Sequence, residues 1–387
     1  MLAVFCWALA AATGLPMLML AIECLVGAAP DRKQSYPLPP PFVVLIPAHD
    51  EGRGISAVVR AVRAQLRPCD RMMLVADNCT DDTAAIASVG GAAIVKRDEP
   101  DLRGKAYALA YGRAALRQRP AAIVIILDAD CLPGPRALSR LAAHAAWYGA
   151  VVQGRYLLDC PSDATPLVRV SSLAFMIKNL VRQRGLQRLG GGALLQGTGM
   201  AFPWSIFETA PLETASLVED LKLGLDLRLA GHSVRFDSHA SFASDASAQI
   251  ATQGQRTRWE HGSVITALHY IPRLILSGLS NRPALLVLAV DLSIPPLSLL
   301  GVLAMASGML LAILAILTGL IVPLIALLTL GGIATGALVI AWFMLGRSVL
   351  PGRMVTQIPR YLLWKLPIYR RLVGARQKRW VRTSREP

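Results

Sequence analysis

Two hydrophobic rhythms divide the chain. Between Phe42 and Asp130, short continuous apolar runs end in polar residues: FVVLIPAHD (42–50), RMMLVADN (71–78), AAIVKRD (92–98) and AAIVIILDAD (121–130). These read as buried strands. The segments between them have helical spacing. GISAVVRAVRAQL (54–66) puts Ile55, Val58, Val59, Val62 and Leu66 on one helical face. DDTAAIASVG (81–90) starts a helix with acidic residues in its first turn, and GKAYALAYGRAAL (104–116) reads as a third helix. Continuous apolar strands alternating with amphipathic helices predict a mostly parallel α/β sheet covered on both faces. Such sheets bind ligands beyond the carboxyl ends of their strands. His49, Asp50, Glu51, Asp77, Asn78, Asp128 and Asp130 all fall at those ends.

The second rhythm is unbroken apolarity. Residues 1–22 are nearly all apolar, and from Pro283 to Gly346 the only charged residue is Asp291. A spanning helix needs about 20 apolar residues. The first stretch lacks the basic start of a signal peptide and reads as a retained membrane helix; the second can hold two or three, and two keep the basic segment after it on the same side as the domain. The expected division is a membrane helix at 1–29, a PLPPP-bearing linker at 30–41 and an α/β domain at 42–262. An interfacial helix follows the α/β domain at 263–283, then two membrane helices are expected at 284–346 and a basic amphipathic tail at 347–387.

Composition adds charge to this picture. The chain is 54% hydrophobic, yet its net charge is +15. Residues 347–387 supply eleven Lys and Arg against one Glu. Basic residues mark the cytoplasmic side, so Arg32-Lys33 and the tail place the domain in the cytosol and the amino terminus outside, at a plasma or inner membrane. The tail suits anionic lipid and accompanies no nucleic-acid-binding module. The six cysteines form no C-x-x-C pair and are expected to be reduced. The histidines have no metal-ligand spacing; His261 is the one to follow. Asp291, an acid inside an apolar stretch, is a candidate functional residue.

The chemistry concentrates at Asp128 and Asp130. In an extended segment, residues two apart point the same way, so both carboxylates aim at one spot and repel. A divalent cation offsets that repulsion, and hard oxygen ligands suit Mg²⁺ or Mn²⁺ beside a phosphate.

VVLIPAHDE, VADNCTDDT, LDADC, GTGM, LVEDLKLGLDLRLAG and QRTRW, in that order, resemble the signature of family 2 inverting glycosyltransferases with the GT-A fold. The branch resembled is the membrane-bound one that includes cellulose and hyaluronan synthases and ceramide glucosyltransferases. The resemblance covers about 42–262. It implies a Rossmann-like GT-A domain; with the apolar stretches read above, the expected architecture is that domain plus about three membrane helices and interfacial amphipathic helices. It also implies roles: Asp77 and Glu51 at the nucleotide, Lys105 at the donor, and Asp128 and Asp130 at the metal and diphosphate. Asp220 would be the general base that takes the acceptor hydroxyl's proton. Gly197 and Gly199 would let the backbone pass close to the acceptor; Trp259 would border the acceptor, and Gln255 shares its helical face. Arg258 would reach the diphosphate. Val218 stands where the family often has Thr.

The expected activity is transfer of one sugar from a nucleotide-diphosphate sugar, most readily UDP-linked, to a lipid-linked saccharide in polysaccharide assembly. A processive polysaccharide synthase, a ceramide- or diacylglycerol-type glycolipid transferase and an inactive membrane scaffold are the alternatives. Q-x-x-R-W favours the processive reading; three spans are few to enclose a polymer. The sugar, the linkage and the oligomeric state are not encoded legibly.

Overall fold

The computed structural model describes residues 1–214, 216, 218–246 and 249–374. The first apolar stretch is one helix, α1 (Leu2–Ala28), with Pro16 inside it. Irregular chain through the proline-rich linker leads into β1 (Phe42–Ala48). Then α2 (Ile55–Arg63), β2 (Arg71–Asp77), α3 (Thr83–Val89), β3 (Ala93–Arg97), α4 (Lys105–Leu116) and β4 (Ile123–Ile126) alternate as the periodicity predicts. These four strands run parallel in the order β3-β2-β1-β4, with Val44 of β1 between Met72 and Ile125.

The chain continues through β5 (Leu132–Pro133), α5 (Ala137–Tyr148), β6 (Val151–Asp159) and α6 (Pro166–Met176). A π-helical stretch, Ile177–Arg182, joins α6 to α7 (Gln183–Arg188). After β7 (Met200–Pro203), α8 (Trp204–Phe207), α9 (Glu219–Leu229) and β8 (Val234–Asp245), one eight-stranded sheet is complete, in the order β3-β2-β1-β4-β7-β6-β8-β5. β7 is antiparallel to both β4 and β6, so the sheet is mixed but mostly parallel.

Then come α10 (Gln249–Leu279), the short apolar α11 (Pro283–Leu292), α12 (Leu297–Thr318), α13 (Val322–Ala341) and α14 (Ile358–Gly374). Among the described residues, three helices are long and apolar enough to cross a membrane: Leu2–Ala28, Leu297–Thr318 and Val322–Gly346.

Two details depart from the sequence reading. The strand expected over 121–130 stops at Ile126, because β7 offers no partner beyond Met200. Asp128 and Asp130 therefore lie in a turn, which Cys131 closes by donating its N–H to the Asp128 carbonyl at 3.1 Å. Alternation along a strand is not what brings them together. The tail also differs from a purely lipid-facing segment. Lys365 is fully buried and ion-paired with Glu260, and the Tyr369 hydroxyl donates to the same carboxylate at 2.9 Å. His261 Nε2 meets the Ile368 carbonyl at 2.8 Å, so α14 packs on α10 and His261 is structural. Residues 375–387 of the tail lie outside the described residues.

β1 sends alternate side chains to opposite faces. Phe42, Val44 and Ile46 pack with Ile55, Val58 and Leu141 in one core. Val43 and Leu45 belong to a second core. That second core does not end at the domain. Through Met176, Ile177 and Leu180 it runs on into Leu20, Cys24, Leu311 and Leu327 of the candidate spans.

The seam between domain and spans is made of backbone and charge. A Cβ on Gly27 would stand 1.9 Å from the Val181 carbonyl oxygen, and one on Gly185 would stand 2.4 Å from that of Glu23. α1 thus lies backbone to backbone on the 177–188 segment, the close approach that small residues permit between membrane helices. At the same place Arg182 donates to Glu23 at 2.9 Å and to Asp291 at 2.6 Å, and all three residues are buried. Arg182→Leu leaves two buried carboxylates without a cation and should lower stability by roughly 3–5 kcal/mol. Thermal unfolding of the full chain in detergent measures it; a Leu variant as stable as wild type would show that the cluster holds nothing together.

Candidate functional site

The loops after the strands carry the polar groups, and two of them are conformationally strained. Asp50 after β1 and Asn78 after β2 have φ of 52° and 50°, a region that few non-glycine residues occupy. Local hydrogen bonds hold both. Asp50 accepts from the Thr80 N–H at 2.6 Å, and Asn78 Oδ1 accepts from the Glu99 N–H at 2.8 Å. Asp81 accepts from the Gly52 N–H at 2.9 Å, so Asp50, Cys79 and Asp81, though near one another, act as a clasp between two loops.

These loops border a cavity of about 990 Å³ that is lined by Glu51, Asp77, Lys105, Asp128, Asp130, Asp220 and Trp259. Asp77 is held by Arg97, whose Nη1 donates to it at 2.5 Å, and by the Asn78 amide at 2.9 Å. Its backbone carbonyl meets His49 Nδ1 at 2.7 Å. Lys105, the first residue of α4, is ion-paired with Asp128 and donates to the Gly197 carbonyl at 2.7 Å. The Asp128 N–H donates to the Thr198 hydroxyl at 3.0 Å, which pins the Asp128 turn to the loop before β7. Asp130 is exposed on the cavity wall, two residues on.

Glu219 and Asp220 open α9, where the helix N-terminus favours negative charge. Burial, and then the charge of its neighbour Asp220, pushes the Glu219 carboxyl up to about 7. Burial also raises Asp220, against the Leu221 N–H and the Lys105 charge. Burial would lower the Lys105 ammonium, but Asp128 and Glu219 outweigh it and hold it above its ordinary range. A half-buried carboxyl whose proton affinity is raised toward neutrality can accept a proton from a hydroxyl.

Gly199 does not line the cavity. A Cβ there would meet the Phe242 ring at 2.5 Å, so the residue serves packing, and of the two glycines of GTGM it is Gly197 that lines the cavity. Trp259 lines the cavity and stacks at a tilt on Phe175, with centroids 6.0 Å apart. The side chains of Gln255 and Arg258 lie outside the described residues. Sequence reasoning missed Arg97, Lys178, Asn179 and Arg182. The signal available for the last three was that Arg182 follows Asn179 by three and Lys178 by four positions, which puts all three on one helical side of the otherwise apolar FMIKNLVR (175–182). Asp291 is brought to the cavity together with Arg182.

The oxygen-only pair Asp128 and Asp130, on the wall of an open cavity, fits a hard divalent cation. The ammonium beside Asp128 adds a second positive charge for a polyanionic ligand.

Residues 39–262, more than half of the chain, match the family model described as glycosyltransferase like family 2. Among solved structures, the mannosyltransferase PcManGT from Pyrobaculum calidifontis, in complex with GDP-Man and Mn²⁺, is 18% identical with a TM-score of 0.54. The match covers 97% of this chain and 100% of that one. Glucosyl-3-phosphoglycerate synthase from Mycobacterium tuberculosis, with Mn²⁺, UDP and phosphoglyceric acid, is 19% identical with a TM-score of 0.39, over 58% of this chain and 78% of that one. No curated protein matches the sequence. At 18% identity the likeness to the mannosyltransferase is one of fold, and the fold is the GT-A type that the motifs imply. The chain belongs to glycosyltransferase like family 2.

Proposed function

We propose that the chain is a membrane-anchored inverting glycosyltransferase. It transfers a sugar from a nucleotide-diphosphate sugar, UDP-linked in the first instance, to a hydroxyl of a lipid-linked saccharide. One observation carries this reading: Asp77, Lys105, the Asp128–Asp130 pair and Asp220, from four separate segments, line a single cavity. The catalytic unit is residues 42–262. The membrane-bound branch with cellulose and hyaluronan synthases and ceramide glucosyltransferases is the subgroup it fits, because candidate spans flank that unit on both sides.

Asp77, fixed by Arg97, and Glu51 would hold the base and ribose of the donor. Asp128 and Asp130 would hold a divalent cation, Mg²⁺ or Mn²⁺, which neutralises the departing diphosphate. Lys105 supplies a further cation at the same oxygens. Asp220 takes the proton of the acceptor hydroxyl. The hydroxyl oxygen bonds to the anomeric carbon from the opposite face as the bond to the diphosphate breaks, and that electron pair leaves with the diphosphate. No covalent sugar–enzyme bond is needed, so the configuration inverts. Trp259 would offer an apolar face to the acceptor.

Arg32-Lys33 and the basic residues after Gly346 put the catalytic unit on the cytosolic side, with the amino terminus outside. A reporter fused after Pro387 should be active in the cytosol; activity confined to the opposite side would reverse the sidedness.

Asp220→Asn keeps the size of the side chain but loses the base. Donor binding by calorimetry should stay near wild type while turnover falls by roughly 10²–10⁴-fold. Asp130→Asn should weaken both, because it removes half of the oxygen pair. Near-normal turnover in Asp220→Asn would move the base to Glu219.

The pH profile gives an independent check. Both first-turn carboxyls of α9 have raised proton affinity, with Glu219 at about 7. They titrate as a pair, and the base must be deprotonated. The ascending limb of kcat/KM should therefore lie above the ordinary carboxylate range of about 4, with the rate falling about tenfold per pH unit below its midpoint. A limb centred near 4 would show that neither carboxyl is the base in the form the fold presents.

A further inference from the structure

The cavity does not stop at the candidate catalytic wall. Beyond Asp220 it passes Asn179, Arg182 and Asp291 and continues between α1 and α12. There the wall is apolar: Pro16 of α1, and Leu299, Leu300 and Leu303 of α12, with Ala12 and Thr13 at the far end. Thr13 lies fifteen residues from Ala28, roughly 22 Å along the helix at 1.5 Å per residue. That depth reaches the middle of a hydrocarbon core about 30 Å thick.

The limb is blind. On α12 no residue beyond Leu303 lines it, although the helix runs to Thr318, and no α13 residue lines it. At the level where it ends, Thr13 and Ser307 share a hydrogen bond of 3.0 Å that ties α1 to α12. It also has a side opening: Ala12 and Leu303, on opposing helices, line the limb and are both exposed, so its walls meet the hydrocarbon around the spans.

A growing polysaccharide needs a path through the membrane lined by hydroxyl partners and ring faces. A blind apolar limb gives neither. A water-soluble acceptor would leave it empty of contacts. We propose that the limb holds the aliphatic chain of the acceptor. A lipid from the surrounding bilayer slips in between Ala12 and Leu303, its chain lies against Pro16, Leu299 and Leu300, and its hydroxyl-bearing headgroup rises past Arg182–Asp291 to Asp220. This rests on the transferase reading for the headgroup, but the seat of the chain is testable without it. It also makes the enzyme one that adds a single sugar or a few, because product cannot thread onward through the spans.

The test uses the full chain in nanodiscs of phosphatidylglycerol and phosphatidylcholine. The probe is hexadecyl glucoside with a diazirine on its terminal carbon. Photolabel should concentrate on peptides bearing Ala12 and Leu303, not on Leu328 and Val339, which are exposed on the outer side of α13. Leu303→Trp and, from the other wall, Ala12→Trp change exposed positions and should leave UDP-sugar binding intact. Each should cut the limb label by about tenfold or more, the equivalent of two methylenes denied burial. Label spread evenly over α12 and α13, or unchanged labelling in both variants, overturns the proposal while leaving the transferase reading standing. Failure of the transferase reading shows separately, as wild type that turns over no nucleotide sugar although the limb is labelled.

Discussion

One guanidinium holds this molecule in register. Arg182 stands where α1, the π-helical stretch and α11 meet, and it takes a carboxylate from each of the other two, Glu23 and Asp291. Apolar surface alone does not fix how helices associate in lipid, since the lipid is equally apolar; close backbone packing and polar contacts do. Both are present at this seam. Gly27 and Gly185 let the backbones touch, and the ion cluster makes any slip of α1 along its axis cost a buried charge its partner. Because Arg182 also lines the cavity, the same contact fixes the membrane limb relative to the catalytic wall.

On the catalytic wall the problem is reversed. Asp128, Glu219 and Asp220 converge on one ammonium, Lys105. Burial first, and then the neighbouring carboxylates, raise the proton affinity of the α9 pair, which would help a base and would harm a merely structural ion pair. Asp128, at the end of this cluster, keeps the Lys105 contact and a loop anchored by Thr198. The strain at Asp50 and Asn78 is confined to the strand ends that face the donor side, the usual place for stored backbone strain.

The alternation of strands and helices over 42–130 was legible because each buried strand is an uninterrupted apolar run and each helix shows its face at 3.6 spacing. The apolar stretches were legible from their length, and the number of spans from the basic residues that flank them. Asp77, Asp128 and Asp130 were singled out because they end apolar runs, and Lys105 and Asp220 because their motifs resemble the family's; the fold brings all five to one cavity. Other features were hidden for definite reasons. Arg97 holds Asp77 across a parallel strand pair, and pairing register is not written in either strand. β4 ends early because its partner β7 lies some seventy residues away in the chain. Lys365 read as a surface cation, since nothing local announces that Glu260 will bury it. Gly199 followed the motif, but its neighbour Phe242 comes from β8, and only the fold supplies it.

The two ends of the cavity belong to two solvents, and α10 is the element that touches both. Trp259 and Glu260 face the cavity near its catalytic end, and Val264, Leu268 and Ile271 extend the same wall toward the apolar limb. Successive turns of one helix thus grade the lining from charged to aliphatic. Its position is set from behind by α14, through buried Lys365 on Glu260 and the His261 contact to the Ile368 carbonyl. A carboxylate held by a lysine that solvent cannot reach does not wander, so the Trp259 ring next to it is held as well. The basic segment after the spans is in this sense part of the site: it contributes the cation that keeps α10 against the domain at the boundary where water gives way to lipid.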